Sequence, residues 1–118
     1  MRSTSVLGSG SLSNLAAIRH SRSRRASSWD RTGGNADRVS VASGETHVLL
    51  DTSGAGTVRH IWMTIACAEQ YFLRRCVLRM YWDGADQPSV ETPVGDFFGM
   101  GHAATRNFVS APLQMSPQ

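Results

Sequence analysis

From Arg38 onward the chain alternates apolar and polar residues in short runs separated by turns, and this pattern constrains the fold more than any other feature. A period of two places successive side chains on opposite faces of a strand, so each run reads as a half-buried β-strand. Thr46, Val48 and Leu50 share one face of Thr46–Asp51, while His47, Leu49 and Asp51 share the other. In Thr57–Ala66, Ile61, Met63 and Ile65 oppose Val58, His60, Trp62 and Thr64, so both faces are expected to be partly covered. In Leu73–Trp82, Cys76, Leu78, Met80 and Trp82 oppose Arg75, Val77, Arg79 and Tyr81. Shorter strands are expected over Arg38–Ala42, over Ser89–Val94 (an edge or interrupted strand because of Pro88 and Pro93) and over Phe108–Met115. The breaks between them, Ser43-Gly44-Glu45, Thr52–Gly56 and Asp83-Gly84-Ala85-Asp86, carry residues that accept turn geometry. Gly95–Asn107 reads as a glycine-rich loop. About six strands spaced by roughly 8–14 residues predict a mainly β fold, an antiparallel sandwich of the jelly-roll kind.

The N-terminal third follows different rules. Residues 1–10 are rich in Ser and Gly and read as a flexible terminus. Leu12, Leu15, Ala16 and Arg19 recur at helical spacing, and Ser11 or Ser13 can cap the start, so a short helix is expected there. The rest of residues 11–37 is a polar, glycine-containing loop with Trp29 in its middle. Residues 38–118 are then the β domain.

Charge separates the same two regions. All 12 basic residues are arginine, against 9 acidic ones, for a net charge of +3. Residues 1–38 hold seven arginines and two aspartates, so 7 − 2 = +5; residues 39–118 hold five arginines and seven acids, so 5 − 7 = −2. A basic patch attracts phosphates. Here no aromatic or lysine interleaves with Arg19–Arg25 and no nucleic-acid motif follows, so no nucleic-acid partner is expected. The absence of lysine fits a GC-rich genome. Arg24-Arg25-Ala26-Ser27 has the form of a basic-directed kinase site, read here as coincidence.

Two cysteines allow at most one disulfide. Free thiols in a reducing compartment are expected, with Cys76 as a small core hydrophobe. His20, His47, His60 and His102 lack metal-ligand spacing, so neither a metal nor a cofactor is expected, and His60 reads as partly buried. No apolar run reaches the ~18 residues of a membrane span, and Met1–Gly10 lacks a signal-peptide core. The expectation is a cytoplasmic protein without a membrane partner.

Two stretches go beyond a generic β protein. One is Arg25–Asp37, containing Ser28-Trp29-Asp30-Arg31-Thr32-Gly33-Gly34-Asn35. The other begins at Val58-Arg59-His60-Ile61-Trp62-Met63-Thr64-Ile65 and runs through Leu78–Gly84 (with Tyr81-Trp82-Asp83-Gly84) and Pro88-Ser89-Val90-Glu91 to Gly95-Asp96-Phe97-Phe98-Gly99. In this order they resemble the start of glycoside hydrolase family 172, long catalogued as domain of unknown function 2961. The resemblance runs from about Leu12 to Gln114. It implies a double jelly roll, assembly into trimers or multiples of them, and activity on furanosides: difructose anhydrides, fructofuranosides and arabinofuranosides. It also implies retaining hydrolysis by two glutamates, whose carboxyls in such enzymes lie about 5–5.5 Å apart.

The resemblance places those glutamates downstream of Gln118. Glu45, Glu69 and Glu91 match no catalytic position, so this chain reads as an N-terminal fragment with an incomplete sandwich, inactive alone. Candidate substrate-binding residues are Trp29, Asp30, Thr32 and Asn35 in the first loop, and Asp96, Phe98 and His102 in the second. An aromatic face beside fixed polar groups is the general form of a sugar pocket. The bland alternatives are that Trp29 plugs the sandwich end, Asp30 bonds loop amides, Phe97 and Phe98 belong to the core or a subunit contact, and Asp96 caps a turn. A second functional class also fits: a non-catalytic jelly-roll module for carbohydrate binding or assembly. A third reading is a non-functional open reading frame, whose half-sandwich would expose strand edges.

Overall fold

The computed structural model describes residues 18 and 20–116. The helix expected over residues 11–19 lies outside them, apart from Ile18. The chain divides into two units, one ending at Ile61 and the other starting at Trp62.

The second unit holds the regular structure. A helical turn α1 (Phe72–Arg75) leads into β1 (Val77–Met80); β2 (Val90–Pro93) runs into a second helical turn, α2 (Val94–Phe97); β3 (Phe108–Val109) and β4 (Gln114–Met115) close the unit. β1 and β2 pair antiparallel, with Val77 opposite Pro93 and Met80 opposite Val90. β3 and β4 form a second antiparallel pair, Phe108 opposite Met115.

The strand expected over Leu73–Trp82 is shorter than its alternation suggested. Its first residues are helical because the Tyr71 carbonyl accepts from both the Arg74 and Arg75 amides, and the Cys76 amide returns to Phe72. Within β1 the alternation holds: Leu78 and Met80 are half-buried, Val77 and Arg79 exposed. The Asp83-Gly84 break is a type I′ turn. Both residues take positive φ (54° and 72°), and the Ala85 amide donates to Trp82 over 3.0 Å. Ser89–Val94 pairs over most of its length, as β2. Phe108–Met115 is a hairpin rather than one strand, because Ser110 and Leu113 close a turn around Pro112.

The core is small. Leu73, Val94 and Met100 are buried, with Met63, Phe72, Phe98, Phe108 and Met115 packed around them. α2 ends in a Schellman motif: the Met100 amide donates to Gly95 over 2.7 Å, the Gly99 amide to Asp96 over 3.0 Å, and Gly99 takes φ +80°. This explains both glycines of Gly-Asp-Phe-Phe-Gly. Gly99 supplies the left-handed residue, and Gly95 permits close approach. A Cβ at position 95 would lie 2.9 Å from both the Leu73 Cβ and the Met100 carbonyl oxygen.

Over Arg38–Ala42, Thr46–Asp51 and Thr57–Ala66, where strands are expected, no strand ladder forms among the described residues. Most of their apolar side chains are exposed, Val48 at 66% and Trp62 at 74%, whereas Ile61 and Met63 are half-buried. Of the cover expected on both faces of Thr57–Ala66, the Ile61 and Met63 face is partly covered, whereas the face of Val58, His60, Trp62 and Thr64 is exposed, which corrects the reading of His60 as partly buried. Cys76 is exposed too, as is Cys67; Cys76 terminates α1 rather than filling the core. Antiparallel pairs are present, but a complete jelly roll is not formed by these residues.

Replacing Gly95 by alanine forces its new methyl into backbone and should destabilise the second unit by about 1–3 kcal/mol. Gly56→Ala, with open space around its Cβ, should change little. Urea unfolding followed by tryptophan fluorescence checks both; equal midpoints for the two variants would contradict the close-approach role of Gly95.

Candidate functional site

The Trp29 loop, in the first unit, is closed by two carboxylates. Ser28 Oγ donates to the Asp37 carbonyl over 2.9 Å, and the Asp30 amide donates to Asp37 Oδ1 over 2.6 Å. Asp30 turns inward. Its Oδ1 accepts from the Thr32 amide (2.8 Å) and the Thr32 hydroxyl (2.7 Å), and its Oδ2 from the Ala36 amide (3.2 Å). These local bonds are the turn-forming habit of Asp and Thr side chains.

Gly33 and Asn35 take positive φ (79° and 57°), which glycine and asparagine tolerate. Gly34 is needed for space, since a Cβ there would sit 2.9 Å from Asp30 Oδ2. The hydrogen bonds from the Thr32 hydroxyl, then the Thr32 and Ala36 amides, hold the Asp30 carboxyl below its ordinary pKa, because each favours the charged form.

Trp29 is left outside this ring, 55% exposed, with the Arg31 guanidinium 5.8 Å from the centre of its ring. Of the first candidate set, the structure thus joins Asp30 to Thr32 directly. Asn35 shapes the backbone nearby, and Trp29 stands exposed beside Arg31. Sequence reasoning passed over Arg31, Ser28 and Asp37. Arg31 was legible as a neighbour two residues from Trp29; nothing in the sequence marks the pairing of Ser28 with Asp37.

The second set lies in the other unit. Asp96, in α2, forms an ion pair with Arg74 of α1. Both side chains are partly exposed, so the pair contributes at most about 1 kcal/mol, and its main effect is to orient Asp96. Phe97 and Phe98 meet edge to face, centroids 5.2 Å apart, and Phe98 packs against the core. His102 is exposed, and with Ala103 it takes left-handed φ (61° and 53°) in a turn closed by the Ala104 amide donating to Gly101. Among the described residues no hydrogen bond joins His102 to Asp96.

The three glutamates all serve local structure. Glu45 accepts from the Ala42 amide over 3.2 Å. Glu69 accepts from the Tyr71 amide and pairs with Arg75 over 2.8 Å. Glu91 pairs with Arg79 directly across β1 and β2, over 2.6 Å. Among the described residues no helix is long and apolar enough to cross a membrane.

Comparison with known proteins gives one family match: the model for the GH172 first β-sandwich domain covers residues 19–117. No curated protein and no solved structure matches.

The depressed Asp30 pKa fixes the direction of a pH effect. The ring should be fully formed above the ordinary aspartate pKa and should loosen as pH falls through the lower value Asp30 has in the folded loop. The Thr32 and Ala36 amide resonances, followed by NMR during acidification, should move together in that range and stay fixed in Asp30→Ala. Wild-type resonances that show no transition there would contradict the ring.

Proposed function

The chain belongs to glycoside hydrolase family 172, matching its first β-sandwich domain over residues 19–117, and on that premise we propose that it contributes substrate-pocket loops and subunit contacts to a retaining furanoside hydrolase. The substrate class is the fructofuranosides, arabinofuranosides or difructose anhydrides. The observation that carries this reading is the division of labour among the acidic residues. Glu45, Glu69 and Glu91 are each held by a backbone amide or an arginine on the surface, in separate elements. A retaining mechanism needs one carboxylate free to attack and a second to move a proton. The catalytic pair is therefore assigned to other residues of the enzyme, and this domain to binding.

In that role the Trp29 face covers the apolar side of a furanose ring. In the other unit, taken by itself, the partly exposed Asp96 and the exposed His102 are polar groups of the kind that bind sugar hydroxyls. The exposed apolar residues of the segments without a ladder, Val48, Leu49, Leu50 and Trp62 among them, supply assembly contacts. A non-catalytic carbohydrate-binding or assembly module is the second reading, favoured by the same surface glutamates.

In a complete family enzyme carrying this domain, Trp29→Ala should lower kcat/KM on aryl arabinofuranosides and fructofuranosides about tenfold, chiefly through KM. The 118-residue chain alone should hydrolyse neither. Unchanged kinetics in Trp29→Ala would remove the loop from the pocket; turnover by the isolated chain would overturn the assignment of its glutamates.

A further inference from the structure

Ring closure at the Trp29 loop leaves its charges unbalanced. Asp30 and Asp37 are the acids between residues 20 and 38, and both point their carboxylates at loop amides. The arginines of the same stretch are exposed, and among the described residues none of them forms an ion pair. The Ser28–Asp37 bond sets Arg38, the next residue, at the neck of the loop. Arg31 stands over the Trp29 ring. A guanidinium donates five hydrogen bonds in a planar fork and accepts none, so the group that completes it is an acceptor, best an anion.

We infer that Trp29 and Arg31 form a recognition edge for a sugar bearing an anionic group, a carboxylate or a phosphate, and that Asp30 positions this edge rather than touching the ligand. This rests on the carbohydrate reading of the loop and deepens it. The indole face takes the apolar side of the sugar ring, the Arg31 fork takes the anion, and the surrounding arginines strengthen the attraction at a distance. Both Asp30 oxygens already accept from Thr32 and Ala36, so Asp30 holds the backbone on which Trp29 and Arg31 sit.

The test uses the full chain and the indole N–H resonance of Trp29, assigned with Trp29→Phe. Methyl arabinofuranoside, glucuronate, arabinose 5-phosphate and inorganic phosphate are titrated at low and high salt. An anionic sugar should shift the Trp29 signal at concentrations about tenfold lower than the neutral one, and added salt should weaken it. A response to glucuronate alone, or to the sugar phosphate alone, identifies which anion the edge takes. Arg31→Gln should remove the tenfold preference while leaving the Thr32 and Ala36 amides in place, and Arg31→Lys should restore part of it. Equal binding of neutral and anionic sugars with a silent Arg31→Gln overturns the inference and leaves the carbohydrate reading standing. Inorganic phosphate matching the sugar phosphate overturns it as mere anion attraction. No response to any sugar overturns the carbohydrate reading and this inference with it.

Discussion

The second unit depends on one contact without a side chain in it, the approach of Gly95 to Leu73 and the Met100 carbonyl. It lets α2 fold back onto α1, and the fold-back buries Leu73, Val94 and Met100 together. Everything placed by α2 follows from this. Asp96 is carried to Arg74, Phe98 is laid on the core, and the chain leaves α2 through Gly99 toward the turn that holds His102. The β1–β2 ladder ends at the same point, where the Val94 amide donates to the Cys76 carbonyl over 2.8 Å. Burying a leucine side chain is worth about 2 kcal/mol, so a core of three residues is sensitive to any atom added at this position.

The Trp29 loop is organised by a different force. It has no apolar core and is held by charge-assisted hydrogen bonds from backbone amides and one hydroxyl to two carboxylates. Such bonds define geometry sharply but leave the aromatic and cationic side chains free at the surface. A binding loop needs that combination: a fixed backbone and an exposed, unspent recognition surface.

Much of this was legible in the sequence, and the misses have physical causes. The Asp-Gly turn, the alternation of β1 and the position of β2 follow from local chemistry, and local chemistry decided them. Leu73–Arg75 look like strand residues by alternation, yet the helical turn wins because it buries Leu73. Period-two patterns presume a second layer over each strand face; among the described residues no strand pairs with the segment of His60, and Cys76 lies at the end of α1 with its side chain exposed. At the candidate site the residue types were readable but the directions were not. Asp30 turns inward onto its own loop, and Asp37 completes the ring seven residues away, a pairing that no spacing rule announces. The family itself was readable from motifs in order, Tyr81-Trp82-Asp83-Gly84, then Pro88-Ser89-Val90-Glu91 and Gly95-Asp96-Phe97-Phe98-Gly99.

This member of the family holds a hydrogen-bonded part around Gly95 and segments of strand-like sequence that lack a ladder among the described residues. Amide hydrogen exchange on the 118-residue chain separates the two. Exchange should be slowed at Cys76, Ser89, Val94 and Met100, whose amides donate to backbone carbonyls, and fast throughout residues 46–60. Strong protection across residues 46–60, or its loss at Val94 and Met100, would contradict that division.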